Sequence, residues 1–362
     1  MKVKLVLIFV FLLLVQSVRA QDRKPNLNDV DRTRLAEAFK LAETFGDQVW
    51  KDWNKTPFAV LLVTPEYEFL IRHPKPSKDF TLVGYDSLLQ SNVYFRKRKF
   101  STKLLATFPA VGAVSTIVVG QAENTDAKTS TPWVVTLLHE HFHQLQDAQP
   151  NSYAETESLN LSRGDQTGMW MLNYAFPYDS PEIKQQFSVM SRLLADALQA
   201  TKRSEFSTKL SAYLNARRQL QKMLQPDDYK YLSFQLWKEG IARYTECRIA
   251  TMAARAYKPS GEFRALKDFT SFESVRQAIM SRTLRELITL DLESYKRVAF
   301  YPLGAGEGLL LDRANPKWQS HYFVEKFYLE KYFNASRMIR ARCAHEQDCD
   351  LLRDKFLLLR LL

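Results

Sequence analysis

The sequence has few cysteines and few long apolar runs. Its 362 residues include only three cysteines, too few for a disulfide framework and with the wrong spacing for a cysteine-based zinc site. No stretch reaches eighteen uninterrupted apolar residues, the length that suggests a membrane-spanning helix. Internal repeats and low-complexity tracts are also missing. An ordinary hydrophobic core must therefore stabilise the fold.

The three cysteines differ in their surroundings. Cys247 lies within a helical pattern, which favours an inert buried thiol. Cys343 and Cys349 are six positions apart. They are candidates for one disulfide in an oxidising compartment, and the sequence leaves this pairing open.

The first twenty residues have the pattern of a secretory signal peptide. Lys2 and Lys4 precede the apolar run Leu5–Val15, and Val18 with Ala20 supplies the small-residue pattern of a cleavage site. We expect cleavage after Ala20 and a soluble product that is secreted or periplasmic. An uncleaved membrane anchor is the alternative interpretation, although the apolar run is short for a bilayer.

Basic residues outnumber acidic ones. The sequence has 51 lysines and arginines against 40 aspartates and glutamates, a formal net charge of +11. Loss of Lys2, Lys4 and Arg19 with the signal would leave 48 against 40, or +8. The densest basic cluster, Arg96–Lys99, follows a strand-like segment. We interpret it as a solvated strand edge or turn and expect no nucleic-acid partner.

The hydrophobic pattern changes along the chain. Asp31–Trp50 has helical spacing, Pro57–Asn124 is rich in β-branched and aromatic residues, and the pattern from Pro132 onward is helical. This order predicts an α+β fold. We expect a sheet lobe with a helix over residues 21–125 and a helical lobe over 126–362, either separate or joined in one domain. The predicted helices after the sheet are Pro132–Asp147, Pro181–Thr201, Phe206–Leu224, Asp227–Ala256, Phe272–Arg297, Gly304–Arg313, Pro316–Phe333 and Cys349–Leu361.

One predicted helix contains the pattern H-E-x-x-H as His139, Glu140 and His143. Chance would produce about 0.005 occurrences in a chain of this composition. Positions i and i+4 lie on one helical face, so both imidazoles can reach one metal ion while Glu140 stands beside the first. His141 faces another side of the helix, and we interpret it as structural or as a support behind the ligands.

A catalytic zinc ion usually has three protein ligands and an open position. His321 and His345 follow the motif without the close spacing of a third histidine ligand, so the metzincin pattern is absent. The better candidates are Glu239 and Glu246, which lie seven residues apart on one face of a predicted helix.

In these segments the chain resembles the gluzincin zinc metallopeptidases, most closely the M1 aminopeptidase-like branch. The segment Glu239–Glu246 reads E-G-x-A-x-Y-x-E, and Tyr301–Gly304 reads Y-x-x-G. The likeness covers residues 131–146, 233–249 and 299–318. It implies a largely antiparallel sheet followed by a helical, thermolysin-like catalytic lobe that holds one zinc ion per chain.

The resemblance also implies roles for single residues. His139, His143 and Glu239 would bind the metal, and Glu246 would orient a histidine ligand, although a solvated helix residue is the alternative. Tyr301 would stabilise the oxyanion. A buried core tyrosine is the alternative there, and His321 and Tyr322, further along the chain, are rival donors for the oxyanion.

The chain departs from that branch in two places. The amine-binding strand G-x-M-E-N has only a partial counterpart in Gly120–Asn124, which puts aminopeptidase specificity in doubt. The interval between His143 and Glu239 is also longer, which implies inserted helices that reshape the substrate cleft.

The resulting hypothesis is a secreted zinc-dependent peptidase that acts on peptides or proteins. Glu140 would accept the proton of the attacking water as general base. A strand such as Val114–Gly120 would hold the substrate backbone in extended form. Two alternatives stay open: a catalytically silent zinc-binding protein of the cell envelope, and a zinc hydrolase of a non-peptide amide or ester.

Overall fold

The computed structural model describes residues 24–333. The predicted signal peptide with its cleavage after Ala20, the predicted helix Cys349–Leu361 and the candidate disulfide Cys343–Cys349 lie outside the described residues.

The described part begins with a long helix and a sheet. Helix α1 (Asp29–Val49) starts at Asn28, whose side-chain oxygen accepts a hydrogen bond of 2.8 Å from the Asp31 amide and so caps the first turn. Six strands follow: β1 (Val60–Val63), β2 (Tyr67–Ile71), β3 (Thr81–Asp86), β4 (Ser91–Lys97), β5 (Leu105–Val111) and β6 (Val114–Gly120).

The six strands form one sheet in the order β3-β4-β2-β1-β6-β5. Every neighbouring pair is antiparallel except β1 and β6, which run parallel with Val60 opposite Ile117. The mostly antiparallel sheet predicted from the sequence is therefore confirmed. Within residues 24–333, strand β6 is paired on both sides, whereas β5 has one free edge.

Helices make up most of the remaining described chain, and the α+β fold class is confirmed. They are α2 (Ser130–Asp147), α3 (Ser152–Glu157), α4 (Trp170–Asn173), α5 (Pro181–Gln199), α6 (Arg203–Met223), α7 (Pro226–Gln235), α8 (Ile241–Ala256), α9 (Gly261–Arg264), α10 (Phe272–Thr289), α11 (Leu292–Tyr295) and α12 (Phe300–Ala314). Several begin at predictable caps: the Ser180 and Ser271 hydroxyls accept hydrogen bonds from backbone amides of α5 and α10.

Two predicted helices are interrupted. Between α7 and α8 the helix widens into a π-helical turn, Leu236–Gly240. The helix that was predicted to reach Arg297 ends at Thr289, because Leu290 is extended and Asp291 caps the short α11. A 3-10 segment, Lys296–Ala299, then leads into α12.

The predicted helix Pro316–Phe333 is wrong. Its start is a 3-10 segment, Trp318–His321, followed by turns, and Phe327 has a φ of 74°. The apolar spacing there reflects burial of an irregular segment, since its aromatic side chains fill the core. Those buried aromatics are Trp318, Tyr322, Phe327, Tyr332 and Phe333.

A continuous hydrophobic core connects the sheet and the helices. It includes Phe39 of α1, Leu62 of β1, Leu138 of α2 and Ile249 of α8. A smaller cluster that includes Leu61 and Val118 lies within the sheet region. Because α2 packs against both β6 and α8, the helix that carries H-E-x-x-H lies at the junction of the two halves.

Two sequence-based interpretations can be compared directly with the structure. Each residue of the Arg96–Lys99 cluster bonds within the chain; Arg96, for example, donates to Glu68 at 2.6 Å. Cys247 is a buried free thiol on α8, and burial raises its pKa to about 12. Among residues 24–333 no helix is long and apolar enough to cross a membrane.

Candidate metal centre

Helix α2 presents His139, Glu140 and His143 on the face that looks into the cleft. The spacing of four residues brings the two histidine rings together, with their Nε2 atoms 3.2 Å apart. Both histidines are about 6 % exposed, and Glu140 is 5 % exposed. The motif therefore lies in a buried pocket wall.

Glu239 approaches this pair from the π-helical turn. Its Oε2 atom lies 3.4 Å from His143 Nε2 and 3.8 Å from His139 Nε2. A π turn inserts an extra residue into a helix and leaves backbone carbonyls free, and such turns are frequent at functional sites. Here the Gln146 side-chain amide donates to the carbonyls of Trp237 and Lys238.

The Nε2 atoms of His139 and His143 and the Oε2 atom of Glu239 have the separation that a zinc site requires. Ligands about 2.0–2.1 Å from a tetrahedral zinc lie roughly 3.3 Å from one another. The three observed separations are 3.2, 3.4 and 3.8 Å. All three ligand atoms also lie within 4.8 Å of one another. The donor set of two imidazoles and one carboxylate fits a zinc ion with a fourth, open position.

Each histidine is held by its other ring nitrogen. Glu246 Oε1 lies 2.7 Å from His139 Nδ1, and Gln146 Oε1 lies 2.7 Å from His143 Nδ1. These bonds leave both Nε2 atoms free to face a metal, as is usual for metal-binding histidines. Glu246 is buried and so is not the solvated residue of the alternative interpretation.

The acids around His139 set its charge. Burial lowers the pKa of His139, but hydrogen bonds with Glu239 and Glu246 outweigh burial and raise it to about 10. Burial opposes the charged form of Glu239 as well and so raises its pKa. The two histidines outweigh burial and hold the pKa of Glu239 well below its ordinary value. Glu239 and Glu246 therefore favour positive charge beside them at His139.

Glu140 is oriented by a residue of the sheet. Its Oε2 atom accepts a hydrogen bond of 2.7 Å from the Thr107 hydroxyl on β5. The carboxylate is thereby held beside the three candidate ligands, the position that a general base would need. Sequence reasoning missed Thr107, because nothing local connects a strand residue to a motif more than thirty positions later.

Tyr301 lies on the first turn of α12 and faces the same pocket. Its ring is nearly parallel to that of His139, with the centroids 6.3 Å apart and an interplanar angle of 11°. The Tyr301 oxygen accepts a hydrogen bond of 2.9 Å from Arg297 Nη1. Burial raises the pKa of Tyr301 well above its ordinary value, so the phenol keeps its proton and can donate it.

Two glycines allow α12 to approach the π-helical turn. A Cβ atom on Gly304 would lie 2.6 Å from the Cα atom of Gly240 and 2.6 Å from the carbonyl oxygen of Leu236. Real side chains do not fit at such distances, so the two backbones touch only because both residues are glycine. This crossing brings Tyr301 beside Glu239.

The other candidates lie elsewhere. His141 stacks on Phe58, with the ring centroids 3.9 Å apart, and burial lowers its pKa to about 3. The structural interpretation of His141 therefore holds. The Tyr322 hydroxyl bonds to Gln146 and to the Trp237 carbonyl behind the ligands. Neither Tyr322 nor His321 lines the cleft.

The three candidate ligands open into a cleft of about 1640 Å³. One wall is formed by Leu104–Pro109, which includes most of strand β5, and another by a face of α10. The expectation that Val114–Gly120 holds the substrate is wrong, because β6 is hydrogen-bonded on both sides. The edge strand that offers free backbone groups is β5, and Pro109 is tolerated there because an edge strand need not donate every amide.

The partial counterpart of the amine-binding strand does not reach the cleft. Gln121 donates to Asp31, and Glu123 pairs with Arg34 at 2.9 Å. Neither residue lines the cavity. The feature that binds a free amine in the resembled branch therefore has no equivalent at this position.

Comparison of the chain with family models, with curated proteins and with solved structures gives no match.

Proposed function

We propose that the chain is a zinc-dependent peptidase of the gluzincin type that holds one zinc ion at His139, His143 and Glu239. The observation that carries the proposal is the convergence of three ligand atoms within 4.8 Å beside a carboxylate that is free of the ligand set. Because residues 1–20 have the pattern of a secretory signal, we also propose that the protein acts outside the cytoplasm.

Zinc in this position would polarise a water molecule and the carbonyl group of a peptide. The Glu140 carboxylate, which Thr107 holds in place, accepts the proton of the attacking water. It then delivers that proton to the nitrogen of the leaving amine. Water thereby supplies its oxygen and one proton to the new acid and its second proton to the amine.

Tyr301 and strand β5 serve the other parts of the substrate. The Tyr301 phenol donates a hydrogen bond to the carbonyl oxygen as negative charge develops on it. An extended peptide pairs with the free edge of β5, whose backbone amides and carbonyls would form an added strand. This arrangement presents the reacting carbonyl between Glu140 and Tyr301.

A matched pair of variants tests the proposal. Wild-type protein supplied with zinc should hydrolyse members of a peptide library. Glu140→Gln removes the base while keeping the side-chain shape, so the hydrolysis rate should fall by about 10²–10⁴-fold with zinc content unchanged. The control Glu262→Gln changes an exposed acid on α9 and should leave the rate unaltered.

Peptide hydrolysis that survives in Glu140→Gln would show that another group is the base. Hydrolysis of esters or small amides without any peptide cleavage would favour the alternative of a zinc hydrolase with a non-peptide substrate.

A further inference from the structure

The cleft contains a cation that the proposed mechanism does not use. Arg297 lies in the 3-10 segment that leads into α12 and lines the cleft near Tyr301. The residue before it, Lys296, has a φ of 47° and a ψ of −132°. This backbone conformation is strained for a residue with a side chain, and such strain is concentrated at functional sites.

The partners of Arg297 differ from those of the other basic residues in the cleft wall. Lys238 pairs with Asp147 at 2.7 Å, and Arg243 pairs with Glu286 at 2.5 Å. Arg282 lies 3.8 Å from the same Glu286. Within residues 24–333, Arg297 has no carboxylate within 4 Å, and its one hydrogen bond is the bond from Nη1 to Tyr301.

A guanidinium group has five N–H donors in a planar fork that matches a carboxylate. One donor of Arg297 reaches Tyr301, and the rest have no protein acceptor in the described chain. Those donors are not among the fully buried unsatisfied atoms, and the residue that carries them lines the cleft. A half-buried cation of this kind gains most from an anionic ligand, because hydrogen bonds to charged groups are strong where water is partly excluded.

We propose that Arg297 binds a carboxylate group of the substrate next to the reacting carbonyl, an inference that rests on the peptidase function proposed above. The carboxylate belongs either to the end of a peptide chain or to an acidic side chain. Arg297 thus favours peptides that carry negative charge near the cleaved bond. Because Arg297 contacts Tyr301, the bound carboxylate lies close to the phenol that would donate to the oxyanion.

Binding of blocked peptides tests the proposal without requiring hydrolysis. Zinc-supplemented Glu140→Gln protein is titrated calorimetrically with acetylated tetrapeptides in three matched forms: a free terminal carboxylate, a terminal amide, and an amide with an internal glutamate. The carboxylate forms should bind about tenfold more tightly than the neutral amide. The difference between the terminal and the internal acid identifies the source of the carboxylate.

Variants separate Arg297 from the general charge of the protein. Adding Arg297→Gln should abolish the preference, and Arg297→Lys, which keeps the charge without the fork, should retain part of it. Arg276→Gln, on the exposed side of α10, should leave the preference unchanged. Arg297→Lys also serves if the glutamine variant fails to fold.

Equal affinities for acid and amide in the protein with Arg297, or an unchanged preference in Arg297→Gln, would overturn the proposal. No binding of any of the three peptides counts against it as well. A carboxylate preference that depends on Arg297 in a protein without peptidase activity would support this site and contradict only the proposed function.

Discussion

Two of the three buried histidines on helix α2, His139 and His141, have opposite surroundings. His139 faces Glu239 and Glu246, which raise its pKa to about 10 against the effect of burial. His141 faces Phe58 and Trp53, and burial lowers its pKa to about 3. The exposed fractions are 6 % and 2 %. Burial alone therefore does not set the role of a histidine; the charged or aromatic groups around it do.

The two faces of α2 also differ in what they connect. The face with His139 and His143 meets Glu239 of the π-helical turn, Glu246 of α8 and Tyr301 of α12. The side that carries Glu140 continues to Gln144, whose side-chain amide donates to the carbonyl of Ala59, just before β1, and to that of Ser115 on β6. One helix thus combines a chemical site with an anchor to the sheet.

The largest effect is expected when His139 is replaced, and replacement of His141 is the matched comparison. Zinc-binding free energies of about 10–16 kcal/mol are spread over the ligands, so His139→Ala should weaken zinc affinity by about a thousandfold. His141→Ala should leave zinc affinity unchanged but reduce the free energy of unfolding by about 2–4 kcal/mol through the lost ring stack. Competition with a chelator and denaturant unfolding measure the two quantities. Loss of zinc in His141→Ala would show that His141 is also needed for metal binding.

A smaller effect concerns the approach of α12 to the π-helical turn that carries Glu239. Gly304→Ala inserts a Cβ atom 2.6 Å from two backbone atoms, so it should cost about 2–3 kcal/mol of stability and lower peptidase activity by displacing Tyr301. The control is Gly261→Ala, where an added Cβ meets nothing within 4 Å. Thermal unfolding compares the two variants, and equal melting temperatures would show that the glycine contact is not needed.

The smallest effect is expected at Glu246, the acid hydrogen-bonded to His139 Nδ1. Glu246→Gln keeps a hydrogen-bonding group near Nδ1 but removes its charge, so zinc affinity should fall by about 10–100-fold. Metal titration of the refolded variant beside wild type measures this change. An unchanged zinc affinity would mean that Glu246 only fills space behind the ring.

Sequence patterns predicted the features that depend on local spacing. The i, i+4 histidines required only a helix, and the change from β-rich to helical composition indicated the α+β fold. Glu239, Glu246 and Tyr301 were picked out by short motifs, and the structure brings all three to the histidines. Each of these inferences used residues that are close together in the chain.

Features that depend on distant packing were missed or wrong. Thr107 reaches Glu140 only because β5 forms one wall of the cleft, and the pairing of β6 on both sides follows from the strand order. Gln146 had a local signal, since it lies three residues after His143 on the same face. Its two acceptors, the carbonyls of Trp237 and Lys238, belong to the distant π-helical turn and could not be predicted. The segment Pro316–Phe333 combined helical spacing with a left-handed Phe327 that ends any helix.

The most direct test of the central claim is the zinc content of purified full-length protein after dialysis, measured by elemental analysis beside Glu239→Ala, His143→Ala and the control Glu43→Ala. Glu43 is an acid on α1 that pairs with Arg72, outside the proposed site. We predict about one zinc per chain in wild type and the control, and loss of the metal in the other two variants. Full retention of zinc by Glu239→Ala, or no zinc in wild type after the metal is supplied, would contradict the account.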